Sequence, residues 1–66
     1  MNDERIEFIT GEINAYKQLL TNTDYKALKH ADGVLSDEEY TETLELRKSY
    51  REKINMYEEE LQKLLN

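Results

Sequence analysis

The chain has 66 residues, with 15 acidic against 9 basic side chains, a formal net charge of −6 and no cysteine. A single core of this size supplies only about 3–5 kcal/mol, and disulfides and thiolate metal sites are excluded, so oligomerisation is the expected source of further stability. The acidic balance argues against general binding to nucleic-acid phosphates or to anionic membranes. Since no apolar run approaches the roughly 18 residues of a membrane span and the charged N-terminus is unlike a secretory signal, we expect a cytoplasmic protein.

The first predicted element is a helix over about 3–20, in which five apolar residues follow one another at intervals of 3, 4, 3 and 4. This spacing places the five side chains in one narrow apolar stripe along a helix, which we term a seam. The next four residues, Thr21 to Asp24, predict a break, because their side chains compete for backbone hydrogen bonds. A short helix over about 24–31 would follow, with Ala27, Leu28 and Ala31 directed inward. The alternative is one helix from 3 to 31, because the heptad spacing of the seam continues through residues 21–24.

A turn over 32–36 separates these residues from the long helix. Gly33 favours the left-handed conformation that closes a helix end. Ser36 with Glu39 three residues later forms a capping box, which predicts the start of a helix over about 37–65. Five apolar residues of this helix repeat intervals of 4, 3, 4 and 3.

Folding the chain back at this turn brings the two apolar stripes together, because short connections produce antiparallel neighbours. The pairing joins positions whose numbers add up to about 68, so that Leu28 meets Tyr40. We therefore predict one all-α domain, an antiparallel, coiled-coil-like helical hairpin with a short intervening helix, which self-associates through its seams. The seam residues are Ile6, Ile9, Ile13, Tyr16, Leu20, Tyr50, Ile54, Tyr57, Leu61 and Leu64.

A second group of residues is a candidate contact for an anionic ligand or a partner. Arg47 and Arg51 lie four residues apart, hence on one side of the long helix, and the hairpin brings basic and aromatic residues opposite them. Guanidinium groups beside aromatic rings can hold a phosphate or a nucleotide. Asp24 and nearby glutamates are close enough to neutralise the same arginines, so internal ion pairing is the alternative. The candidate residues are Tyr25, Lys26, Lys29, His30, Tyr40, Arg47 and Arg51.

The sequence carries no pattern that indicates catalysis. It has no glycine-rich phosphate loop, no metal-ligand spacing and no nucleophile motif, and Ser36 is accounted for as a helix cap. We therefore expect no enzyme activity, no metal and no cofactor.

The stretches TDYKALKHADG (23–33) and LSDEEY (35–40), followed by Arg47, Arg51 and the pair Ile54–Asn55, resemble a helical segment of small phage and prophage proteins of Gram-positive bacteria. The resemblance spans about positions 13–58. In that group the segment forms a helical hairpin, either as a free-standing protein or at the end of tail-associated proteins. The resemblance implies a phage-encoded accessory protein without a defined activity, and it assigns no functional residue.

The leading hypothesis is a small interaction protein that self-associates and binds a protein partner, as a virion or tail component or as an inhibitor of a host defence protein. It would act in the cytoplasm of the host cell or in the virion. The alternative hypothesis is an oligomeric binder of a nucleotide or another anionic small ligand, which would use the candidate residues named above.

Overall fold

The computed structural model describes residues 2–66 and contains two helices, α1 (Asn2–Ala31) and α2 (Asp37–Leu65). They are antiparallel, because Arg5 contacts Glu60 at one end of the molecule and His30 contacts Asp37 at the other. Together they form a rod of 48 × 15 × 15 Å. The prediction of an all-α helical hairpin is confirmed, whereas its self-association stays a prediction.

The predicted break at 21–24 is wrong, because α1 continues through these residues without interruption. The Thr21 hydroxyl donates a hydrogen bond to the Lys17 carbonyl oxygen at 3.0 Å, and the Thr23 hydroxyl donates one to the Leu20 carbonyl oxygen at 3.0 Å. Both side chains thus bond within the helix instead of capping a new one. The separate short helix over 24–31 does not exist, and the alternative of one continuous helix is correct.

The end of α1 has the geometry that the glycine predicts. Gly33 has a φ of 81°, which is the left-handed region. Its N–H group donates to the His30 carbonyl oxygen at 3.1 Å, and the Val34 N–H group donates to the Lys29 carbonyl oxygen at 2.8 Å. These two bonds form a Schellman motif, so the last carbonyl groups of α1 are satisfied without a further turn of helix.

The start of α2 is fixed by the predicted capping box. The Glu39 N–H group donates to the Ser36 hydroxyl oxygen, and the Ser36 N–H group donates to the Glu39 carboxylate, each at 3.1 Å. The bond from the Ser36 backbone, more than that from its side chain, lowers the pKa of the Glu39 carboxyl. Each of these bonds satisfies an N–H group that has no partner within the helix. The first helical turn of α2 therefore begins directly after the connection at 32–36.

The predicted seams pack against each other inside the chain. Ile9, Ile13 and Ile54 are buried, and five other seam residues pack around them. The ring of Tyr16 lies 6.0 Å from that of Tyr50 between centroids. The remaining members of this cluster are Tyr16, Leu20, Tyr57, Leu61 and Leu64, while Ile6 and Tyr50 are half-buried.

The register differs slightly from the predicted one, because facing residues have numbers that add up to 70. Thr23 faces Arg47, and the His30 ring stacks on that of Tyr40 with 4.5 Å between centroids. Leu28 is 65% exposed and Ala31 is exposed, so the prediction that both are directed inward is wrong. The seam spacing therefore continues to the turn, with polar and aromatic side chains in place of aliphatic ones.

Candidate interaction surface

Arg47, a candidate ligand contact, lies inside the seam with only 7% of its surface exposed. Its guanidinium Nη1 donates hydrogen bonds to the Leu20 carbonyl oxygen at 2.9 Å and to the Thr23 hydroxyl oxygen at 2.7 Å. The same nitrogen lies 3.0 Å from the Asp24 carboxylate. Charge-assisted bonds of this kind are stronger than neutral ones. The Nη1 group is therefore paired within the chain, as the internal ion-pair alternative predicts.

His30 and Tyr40 also serve the hairpin. Tyr40 is buried, and its ring is covered by the stacked ring of His30. His30 Nε2 lies 2.6 Å from the Asp37 carboxylate, which belongs to the first turn of α2. These contacts tie the end of α1 to the start of α2 beside the turn, and they leave the Tyr40 ring buried and unable to stack on a ligand.

The remaining candidates do not complete a common site. Tyr25 is 54% exposed on the side of α1 away from α2, and Lys29 Nζ lies 5.6 Å from its ring centroid. Lys26 is half-buried beside the seam, and Arg51 is exposed on α2. Within residues 2–66 there is no cavity and no group of side chains arranged to hold a metal ion.

Charged residues beside the seam connect the two helices. The Arg5 guanidinium donates two hydrogen bonds to the Glu60 carboxylate at 2.6 and 2.9 Å, and Lys17 Nζ lies 3.9 Å from the Glu58 carboxylate. The hydrogen bonds from Arg5 lower the pKa of the Glu60 carboxyl. In antiparallel coiled coils such flanking pairs select the orientation of the helices, so these charges are used within the chain.

The side of α2 that faces away from α1 is strongly acidic. Glu38, Glu45, Glu52 and Glu59 are exposed and recur every seven residues, so they form a stripe along the helix. They belong to the exposed residues that occupy, between residues 38 and 59, the three heptad positions farthest from the seam, which we term the α2 outer face. Six of its ten residues are charged: Glu38, Thr41, Glu42, Glu45, Lys48, Ser49, Glu52, Asn55, Met56 and Glu59.

The corresponding side of α1 has the opposite character. Between residues 8 and 28 its three outward heptad positions hold nine exposed residues, and none of them is charged. The charged residues of this stretch lie beside the seam instead. We term this surface the α1 outer face; it consists of Phe8, Gly11, Asn14, Ala15, Gln18, Thr21, Asn22, Tyr25 and Leu28.

Sequence reasoning missed this surface because it stopped the first seam at Leu20. Had the 3,4 spacing been continued through Thr23, Ala27 and His30, the nine outward positions would have followed by counting. The absence of charge on them is therefore readable from the sequence, once α1 is taken as one helix.

The sequence matches no known family model, and neither a curated protein nor a solved structure is significantly similar to it. Over residues 2–66, no helix combines the length and the apolar character needed to cross a bilayer.

Proposed function

We propose that this chain is a small non-enzymatic helical protein that works by binding protein through the α1 outer face. The observation that carries the proposal is the lack of charge on this face in a chain of which 36% is charged. Phe8, Tyr25 and Leu28 are nevertheless 48%, 54% and 65% exposed there. Loss of charge together with exposed aromatic side chains is the compositional signature of the centre of a protein interface.

The proposal moves self-association away from the seams. The seam residues pack in the core of the hairpin itself, so little of their apolar surface is left for a second chain. Apart from Phe8, whose ring meets that of Tyr57 edge-on with 6.3 Å between centroids, the α1 outer face points away from α2 and lies along most of the rod, which makes it the better surface for an intermolecular contact.

A phage or prophage accessory role remains part of the proposal, supported by the resemblance of residues 13–58. In that setting the α1 outer face would attach the hairpin to a virion or tail protein, or would cover the surface of a host protein in the cytoplasm. Anion binding is not favoured, because Arg47 and Tyr40 are occupied within the hairpin.

The proposal is tested by placing a photo-crosslinking amino acid at position 25 of the full chain, in the cells that produce it. The matched control carries the same group at position 52 of the α2 outer face, which is also exposed to solvent. We expect a protein adduct from position 25 and none from position 52. If neither position gives an adduct, or if both give the same adduct in equal yield, the proposal is contradicted.

A further inference from the structure

We infer that the partner on the α1 outer face is a second copy of this chain, packed antiparallel so that α1 lies against α1. The inference rests on the proposed function, because it names the partner of the same surface. A two-fold axis would pass through the middle of the face, next to Gln18, and the two α2 helices would lie on the outside of the pair.

Electrostatic repulsion opposes most contacts between two copies of this chain. Each chain carries a net charge of −6, so two copies repel each other unless their contact surfaces avoid like charges. The α1 outer face meets this condition, because none of its nine residues is charged. Contact through the α2 outer face would place the acidic stripe of one copy against the acidic stripe of the other. Packing α1 on α1 instead keeps the two stripes on opposite sides of the pair.

Gly11 lies inside α1, and nothing within the hairpin requires a glycine there. A Cβ atom built at Gly11 meets nothing within 4 Å, and a glycine inside a helix weakens it relative to alanine. Gly11 and Tyr25 each lie seven residues from Gln18, so a two-fold axis at Gln18 places them opposite each other. The exposed Tyr25 ring of the second copy would then occupy the open surface over Gly11. This contact would account both for the glycine and for the exposed tyrosine.

The charges near the two ends of α1 favour antiparallel packing of the two copies. Glu7 and Lys29 each lie eleven residues from Gln18 and are both exposed. An antiparallel arrangement brings Glu7 of each copy to Lys29 of the other, whereas a parallel one opposes Glu7 to Glu7. The α1 outer face spans residues 8–28, about 30 Å at 1.5 Å per residue, so at the 15 Å width of the rod it offers a projected area of roughly 450 Å² per chain, which places the dimer among the small interfaces.

The test uses two substitutions that add the same charge at exposed glutamines. Gln18→Glu places a carboxylate on the axis, where it meets its own copy, while the matched control Gln62→Glu places one on α2. By sedimentation equilibrium we expect the wild-type chain to have twice its 7.9 kDa mass. Gln18→Glu should raise the dissociation constant at least about tenfold, whereas Gln62→Glu should leave it nearly unchanged. Equal effects of the two substitutions would overturn the assignment of the face.

A third variant tests the contact between Gly11 and Tyr25 without a risk to folding. Gly11→Leu improves the helix propensity of α1 but fills the space over which the Tyr25 ring would lie. We expect a more thermostable monomer and a dimer weakened at least about fivefold. Tighter association would overturn this contact, because leucine would then add only unspecific apolar surface.

The two proposals fail in different ways. A wild-type chain that stays monomeric at roughly 1 mM overturns the homodimer, since an interface of this small size is weaker than the micromolar-or-tighter range of a standard one. If position 25 then crosslinks to a different protein, the proposed function stands and only the identity of the partner is wrong. If position 25 gives no adduct at all, the proposed function falls as well.

Discussion

The two halves of the hairpin are held together by different chemistry. In the half that contains the chain termini, Ile9, Ile13 and Ile54 are buried among partly buried leucines and tyrosines. In the half beside the turn, the buried residues of α2 are Tyr40, Thr43 and Arg47. The apolar half removes hydrocarbon from water, which stabilises any alignment of the two seams. The polar half is stable in one alignment only.

Arg47 favours the observed alignment, in addition to the short turn that joins the two helices. Sliding one helix by seven residues would keep apolar layers opposite each other, but it would move Arg47 from Thr23 to Tyr16 or to His30. The guanidinium would then lose the Leu20 carbonyl oxygen and the Thr23 hydroxyl, to which it now donates. A single polar residue at a seam position is known to specify register in coiled coils at some cost in stability. We therefore interpret the polar half as the part that selects the register.

The largest expected effect comes from charging the apolar half. Ile54→Asp should leave the chain unfolded, because an unpaired buried carboxylate costs several kcal/mol and a core of this size supplies only about 3–5 kcal/mol. Far-ultraviolet circular dichroism would show the loss of helix. The matched control is Asn55→Asp, which puts the same group on the exposed side of α2 and should remain helical. A helical Ile54→Asp chain would contradict the burial of this position.

A smaller loss is expected from the polar half. Arg47→Ala should lower the free energy of unfolding by about 2 kcal/mol, since charge-assisted hydrogen bonds to two buried or half-buried groups are lost. Arg51→Ala removes the same side chain four residues later, where it is exposed, and should change the free energy by less than about 0.5 kcal/mol. Urea denaturation measures both. Equal losses in the two variants would mean that Arg47 does not hold this half of the hairpin.

Local rules were enough to predict the architecture. The seam spacing, the left-handed Gly33 and the reciprocal bonds of Ser36 and Glu39 each depend on residues close together in the sequence, and the structure contains all three. Such features are predictable because the physical cause and its effect lie within one or two turns of helix.

The errors arose where distant residues decide the local structure. Thr21 to Asp24 have poor helix propensity, yet Arg47 of the other helix binds three of the groups around this segment, which stabilises α1 as one continuous helix. Interactions between elements routinely override propensity in this way. The same arginine was predicted to contact a ligand because charged side chains are rarely buried, although counting back seven residues from Ile54 places it on the seam.

The smallest expected effect concerns the exposed ion pair between Arg5 and Glu60, near the termini in the apolar half. Hydrogen bonds from Arg5 lower the pKa of the Glu60 carboxyl in the folded chain, so the pair stabilises the fold at neutral pH and loses this contribution as the pH falls through the lowered pKa. Glu60→Gln should therefore reduce the Tm slightly at about pH 7, and the difference from the wild type should close at about pH 3. Glu59→Gln removes the same charge from the α2 outer face without removing a contact to Arg5, which corrects for the change in net charge. If the Tm difference of Glu60→Gln is the same at both pH values, this contact contributes nothing that depends on ionisation.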